Sequence, residues 1–192
     1  EHFISDLAIM HAGGTPSTIY KQLKSGQIEY IANLLDAKIA FVGNAELFNE
    51  VNEAKKNSTN LKYLIMIEDF EDYKDLDYVL SFSDLIERGK DINSTDRSKL
   101  DEAISSVSPD SLACLIFTSG TTGNPKGVMI THENVLWTAQ SLFAETVQLS
   151  TNPRIVSYLP MAHIAARLGD HYQSIYRRAV SYTHLTLPTR RF

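Results

Sequence analysis

The residues best suited to chemistry form one unbroken run. Thr118, Ser119, Gly120, Thr121, Thr122, Gly123, Asn124, Pro125, Lys126 and Gly127 follow directly on the apolar segment Leu112 to Phe117. Three glycines, four hydroxyl side chains and one lysine in so short a stretch suit a loop that holds phosphate. Glycine lets backbone N–H groups turn toward a ligand with no Cβ in the way. Ser and Thr hydroxyls donate to phosphate oxygens, and Lys126 adds a point charge. Each charge-assisted hydrogen bond to such a ligand is worth roughly 1.5–3 kcal/mol. A generic polar link between two strands also contains Gly, Ser and Thr, but it has no reason to end in Pro-Lys-Gly.

Register excludes two familiar phosphate loops. A Walker A loop needs Gly, four residues, then Gly-Lys-Ser/Thr. Here Pro125 follows Gly120 at the fifth place, and Gly127 follows Lys126. No G-x-G-x-x-G dinucleotide fingerprint occurs. Other chemistries fail on spacing too. His132-Glu133 begins like a zinc helix, but position 136 is Leu, so H-E-x-x-H is absent. Ser119 lacks the preceding Gly-x of a nucleophile elbow. The acidic stretch Glu68, Asp69, Glu71, Asp72, Asp75 and Asp77 has no glycine at a calcium-loop turn and is broken by Phe70 and Tyr73. It reads as a solvated surface loop, and no metal ligand is assigned.

Leu115 to Trp137 (LIFTSGTTGNPKGVMITHENVLW) resembles, long and ungapped, the signature of the adenylate-forming, or AMP-binding, superfamily. That family includes acyl-CoA synthetases, luciferases and the adenylation domains of peptide synthetases. The resemblance implies ATP, Mg²⁺ and a carboxylic acid substrate, with the loop closing over the β- and γ-phosphates that leave as pyrophosphate. Ser157 to Arg167 (SYLPMAHIAAR) resembles the YLPLAHIxER-type motif of long-chain fatty acyl-CoA synthetases, with Met161 and Ala166 standing where Leu and Glu are frequent. By that resemblance His163 sits beside the acyl carboxylate and the α-phosphate. Read from the residues alone, His163 is equally a helix-capping or a core histidine. A weaker match covers Ser5 to Pro16, where Tyr20-Lys21-Gln22 replaces the usual Tyr-Pro-Thr/Ser.

The implied reaction has two steps. A fatty carboxylate attacks the α-phosphate of ATP, giving acyl-adenylate and pyrophosphate. The thiolate of CoA then takes the acyl group and releases AMP. Thr118, Ser119, Thr121, Thr122 and the loop amides would hold the β/γ-phosphates, and Lys126 would add positive charge or fix the loop's shape. Gly120, Gly123 and Gly127 would let the loop close, and His163 would orient the carboxylate. Another acid-activating ligase of the superfamily, or a non-catalytic nucleotide-binding fragment, are the alternatives. No signal-peptide pattern appears, so a cytoplasmic enzyme is expected, and the resemblance adds that long-chain members often associate peripherally with membranes. The family's GYGxTE, TGD and C-terminal lysine elements do not occur in these residues, so the isolated chain is expected to be inactive and only weakly stable.

Composition supports a folded enzyme domain. The chain has 192 residues, 43% hydrophobic and 21% charged, ordinary for a globular protein. A net charge of −5 opposes a broad nucleic-acid surface. The single cysteine, Cys114, has no internal disulfide partner and reads as a buried thiol. The longest apolar run, Leu112 to Phe117, is far short of a membrane span.

The elements that must position these residues alternate between helix and strand. Helices are predicted at Asp6 to Ala12, around Ile28, Ile31, Leu34 and Leu35, behind an Asn44 cap with Leu47, Phe48, Val51 and Ala54 on one face, from Asp84 to a stop at Gly89, and from a Thr131 cap through Val147. Asp96 to Val107 is polar with a weak apolar face, and a helix follows His163. Strands are predicted at Ile39 to Val42, Tyr63 to Ile67, Leu112 to Phe117, Val128 to Ile130 and Ile155 to Leu159. This alternation predicts an α/β fold with a mostly parallel sheet and flanking helices. With the resemblance it implies part of the large N-terminal domain of an adenylate-forming enzyme, over residues 1–178. The remaining 179–192 (AVSYTHLTLPTRRF) does not match the family and is expected to be an adapter-derived tail. The rival reading is a true β-segment, since Tyr182, Leu185 and Leu187 favour strands.

Overall fold

The computed structural model of the chain describes residues 1–118, 124–144 and 153–182, without the side chains of 93, 94 and 142–144. These residues form two compact units. The first comprises Glu1–Gly14, Tyr20–Val107 and Thr118–Lys126. The second comprises Thr15–Ile19, Ser108–Phe117 and the described residues from Gly127 onward.

In the first unit a three-stranded parallel sheet runs in the order β1 (Ile39–Val42), β2 (Tyr63–Met66), β3 (Val79–Ser81). Ile39 faces Tyr63 across the first pair, and Leu64 faces Val79 across the second. A central parallel strand is covered on both faces and so reads as a continuous apolar run. Leu64, Ile65 and Met66 fit that rule, with Leu64 fully enclosed at 0% exposure. Helices α1 (His2–His11), α2 (Ser25–Leu34), α3 (Ala45–Asn57), α4 (Phe82–Thr95) and α5 (Ser98–Ser106) accompany the sheet.

Helix α3 begins where the Asn44 carbonyl oxygen Oδ1 accepts from the Leu47 amide at 3.3 Å, satisfying one of the unpaired donors of a helix start. Its i, i+3 spacing places Phe48 in the core formed with Val42, Leu61, Leu64, Met66 and Val79, and packs Val51 against it. The Phe48 ring stacks on Tyr73 with centroids 3.8 Å apart. Burying each such side chain contributes roughly 1.5–3 kcal/mol. The expected acidic surface loop contains a short 3₁₀ turn, Phe70–Tyr73, and its Asp69 carboxylate accepts from the Ala45 amide at 3.0 Å.

Two expectations need correction here. Helix α4 does not stop at Gly89 but continues to Thr95. A glycine ends a helix by adopting the left-handed conformation; Gly89 is not in it, and a glycine inside a helix costs only about 1 kcal/mol relative to alanine. Strand β3, three residues long, carried no periodicity to read and was not expected.

In the second unit β4 (Leu112–Thr118) pairs with β5 (Lys126–Thr131), with Thr118 and Lys126 at the edge assigned to the first unit. Ser17 makes an isolated parallel bridge to Leu115 of β4. Helix α6 (His132–Ala144) opens with a reciprocal cap. Thr131 Oγ1 accepts from the Asn134 amide, and Asn134 Oδ1 from the Thr131 amide, both at 3.1 Å. The expected continuation to Val147 lies outside the described residues.

Strand β6 (Arg154–Val156) pairs in parallel with β7 (Val180–Tyr182). Its last described pair is Val156 with Tyr182, the Ser157 amide donates to the Tyr182 carbonyl at 2.9 Å, and the residues that would face the expected continuation to Leu159 lie outside the described set. Strand β7 lies within the segment set apart from the family in the sequence, and residues 183–192 are outside the described set. Between β6 and β7 a helical stretch runs as α7 (Ile164–Ala166), a π-helical segment (Arg167–Tyr172) and α8 (Gln173–Arg177). The whole is the α/β arrangement expected, with its three-stranded sheet and the β6–β7 pair parallel and helices alongside.

Candidate functional site

The phosphate-loop candidate is carried by a stiff strand. Along β4, Ala113, Cys114, Ile116 and Phe117 are all buried, and Cys114, at 0% exposure, is the buried thiol expected. Thr118 ends β4 and Lys126 begins β5; both are exposed. Thr118 Oγ1 donates to the Lys126 carbonyl at 3.5 Å, a contact at the long limit of a hydrogen bond. The Lys126 side chain makes no ion pair among the described residues. Ser119, Gly120, Thr121, Thr122 and Gly123 lie outside the described residues.

Gly127 lies inside β5, out of the left-handed region. A Cβ there would come within 3.3 Å of the Phe117 ring. Close packing is thus one reason for glycine at this position, distinct from the hinge role read in the sequence.

His163 stands at the N-cap of α7, with extended backbone (φ −100°, ψ 135°). Its Nδ1 accepts from the Ala165 amide at 3.1 Å. Its carbonyl accepts from the amides of Ala166 at 3.1 Å and Arg167 at 3.2 Å. A neutral imidazole that accepts at Nδ1 carries its proton on Nε2. The side chain is exposed, so the ring is a helix cap rather than a core histidine, and the cap presents an Nε2–H donor. Thr118 and Lys126 belong to the first unit and His163 to the second.

Sequence reasoning missed the residues behind His163. Arg167 is buried at 1% exposure, donating from Nη1 to the Tyr172 hydroxyl at 2.9 Å and from Nη2 to Thr18 Oγ1 at 2.8 Å. Asp170 and His171 of the same π-helical turn are buried as well. Polar residues on a helix give no apolar periodicity to flag their burial, and nothing local ties Thr18 to position 167.

Among the described residues no group of three His, Cys, Asp or Glu side chains is placed to hold a metal ion. Mg²⁺ accompanying a nucleotide is held largely by phosphates and water, with one or two carboxylates at most. No described helix is long and apolar enough to cross a membrane. His132 at the start of α6 has its pKa held below the usual 6.5 by burial.

Parallel strands with flanking helices, and a buried β4 leading to Thr118, make this an α/β fold of the kind expected for the N-terminal domain of an adenylate-forming enzyme. A model of the family described as AMP-binding enzyme matches residues 1–184, and the chain belongs to that family. It is 36% identical over 174 residues to the long-chain-fatty-acid-CoA ligase ACSBG2 of Xenopus laevis, covering 88% of this chain and 23% of that protein. It is 32% identical over 178 residues to the long-chain-fatty-acid-CoA ligase ACSBG1 of Rattus norvegicus, covering 91% and 24%. The chain therefore spans about a quarter of the length of these curated relatives. In fold it is similar to the anthranilate CoA ligase AuaEII solved in complex with anthranoyl-AMP, with a TM-score of 0.71 at 20% identity over 92% of this chain and 31% of that one.

Proposed function

We propose that the protein carrying this segment activates a long-chain fatty acid with ATP and passes the acyl group to CoA. In the first step a carboxylate oxygen forms a bond to the α-phosphorus, and the bond from that phosphorus to the bridging oxygen breaks, releasing pyrophosphate. In the second step the CoA thiolate displaces AMP from the acyl carbon. The observation that carries the reading is the loop base: a rigid, buried β4 delivering Thr118 to solvent, with Lys126 returning beside it. The relatives named as long-chain-fatty-acid-CoA ligases support the acid class.

Thr118, Ser119, Thr121, Thr122 and the loop amides hold the β- and γ-phosphates, and Lys126 offsets charge that builds on the leaving group. Gly120 and Gly123 keep the loop free of Cβ atoms where the phosphates approach. His163 donates Nε2–H to an oxygen of the carboxylate or α-phosphate, orienting the pair for in-line attack. Mg²⁺ bound with the nucleotide would supply further neutralisation of phosphate charge. A cytoplasmic enzyme, in peripheral contact with the membranes that hold its substrate, fits this chemistry.

The test is acid-dependent exchange of labelled pyrophosphate into ATP by the full-length protein that carries these residues, screened over long-chain, aryl and amino acids. Exchange driven by long-chain acids is the expected result. Exchange driven only by aryl or amino acids would move the protein to another branch of the family. No exchange with any acid would leave a nucleotide-binding protein without this activity.

A further inference from the structure

Arg167 is an expensive residue for its place. Its guanidinium stays charged at any pH the protein meets, and a buried charge is tolerated only when its donors are satisfied. It sits at 1% exposure, where α7 gives way to the π-helical segment. Single π turns inside helices occur frequently at functional sites. The wider π turn brings Tyr172 five positions on, and Nη1 donates to its hydroxyl at 2.9 Å. Nη2 reaches Thr18, 149 positions away in sequence, at 2.8 Å.

Thr18 is not on a free loop. Its neighbour Ser17 bridges Leu115 of β4, with Ser17 Oγ donating to the Leu115 carbonyl at 3.1 Å. The Leu115 amide donates to the Pro16 carbonyl, also at 3.1 Å. At the other end, the Arg167 amide donates to the His163 carbonyl at 3.2 Å, in the turn where His163 Nδ1 caps Ala165. A continuous path of hydrogen bonds and short backbone steps therefore runs from β4 through Ser17, Thr18 and Arg167 to His163, all within the second unit. β4 is the strand that leads into the phosphate loop.

We propose that Arg167 is a positioning residue: through Thr18 it clamps the first turn of the His163 helix to β4, and so fixes both the place and the Nε2–H tautomer of the His163 ring. The inference rests on the role given to His163 above. Tyr172 holds the guanidinium from within the same helix, and Thr18 ties it to the segment bridged to β4. Arginine suits this task because its planar fork can serve two acceptors at once, whereas lysine offers a single compact charge.

The test compares Thr18→Val, which deletes only the acceptor at nearly constant volume, with Arg167→Met, each alone and with His163→Ala, in the full-length protein. Two readouts are taken: acid-dependent pyrophosphate exchange, and the tautomer of the His163 ring by ¹⁵N NMR of histidine-labelled protein. With His163 present, kcat is expected to fall between about 10- and 100-fold, since small misplacement of a reacting group carries a cost of that order, while KM for ATP stays within about twofold. In the His163→Ala background the same changes are expected to have no further effect. The ring signal is expected to move from pure Nε2–H toward a mixture. Equal losses with and without His163, or an unaltered ring signal in both variants, would overturn the inference. If the unsubstituted protein shows no exchange, the proposed activity fails, and the ring signal alone still decides the clamp.

Discussion

His163 Nδ1 accepts a hydrogen bond from the Ala165 amide at 3.1 Å, and this contact settles which ring nitrogen can act on a substrate. One histidine serves as helix cap and as presenter of an Nε2–H donor. The two roles separate by substitution. Asparagine caps a helix well, and replacing a good cap by alanine costs typically about 1 kcal/mol. His163→Asn should therefore retain the stability that His163→Ala loses. Both should lower the rate of acid activation, by about 10²–10³-fold if one well-aimed donor is removed. Chemical denaturation beside pyrophosphate exchange measures both, and near-normal exchange in His163→Asn would reduce the residue to its cap.

The loop residues should affect turnover and leave the fold intact. Thr118 and Lys126 are exposed, and their mutual contact is long. Lys126→Ala removes a charge-assisted contact worth roughly 1.5–3 kcal/mol, about 10–100-fold in kcat/KM for ATP. Thermal melting should be unchanged. A combined Thr118, Ser119, Thr121, Thr122 and Lys126 alanine variant that still activates acid at the normal rate would end the phosphate-loop reading.

Gly127 should tolerate no large side chain. Its absent Cβ faces the Phe117 ring at 3.3 Å, so alanine requires a shift of a few tenths of an ångström while valine cannot be placed without repacking. Overpacking of this kind costs typically about 1–3 kcal/mol. Gly127→Val should lose stability, and Phe117→Leu in the same chain should recover part of it. Additive losses in a denaturation cycle would show that the ring is not the obstacle.

Leu64 at the centre of the parallel sheet should be the most sensitive core position tried. It is fully enclosed between β1 and β3. Leu64→Ala is expected to cost about 2–5 kcal/mol through lost transfer energy and the cavity left behind. Urea denaturation of the two proteins reads it directly, and a loss under 1 kcal/mol would contradict the packing described.

His132 sets a pH dependence of stability. Burial lowers its pKa in the fold below the usual 6.5. Between the folded value and 6.5 the unfolded chain binds more protons than the folded one, so stability falls as pH falls through that window. Above about pH 6.5 the contribution is fully present. Denaturation midpoints between pH 5 and 8 should drop on the acid side, and His132→Gln should flatten that part of the profile. An unchanged profile would assign the acid sensitivity to other groups.

Much of this protein was legible in its residues. The Gly/Ser/Thr run with its Pro-Lys-Gly ending, the buried run of β4, the Asn44 and Thr131 caps and the apolar β2 all depend on local spacing, which a sequence carries openly. Short or polar elements were harder to read. β3 has too few residues to show a period, and Gly89 looked like a stop because a glycine ends a helix only when it turns left-handed, which its identity alone does not reveal.

The sequence by itself determined the class of fold and the loop's composition, because those rest on residues close in the chain, and the candidacy of His163 came from the resemblance of Ser157 to Arg167 to a family motif. Only the tertiary structure decided that His163 caps its helix through Nδ1, that Gly127 lies against Phe117, and that Arg167 reaches Thr18 across 149 positions. A hydrogen bond of 2.8 Å between such distant residues depends on how the strands and helices of the second unit assemble, and no spacing along the chain encodes that distance.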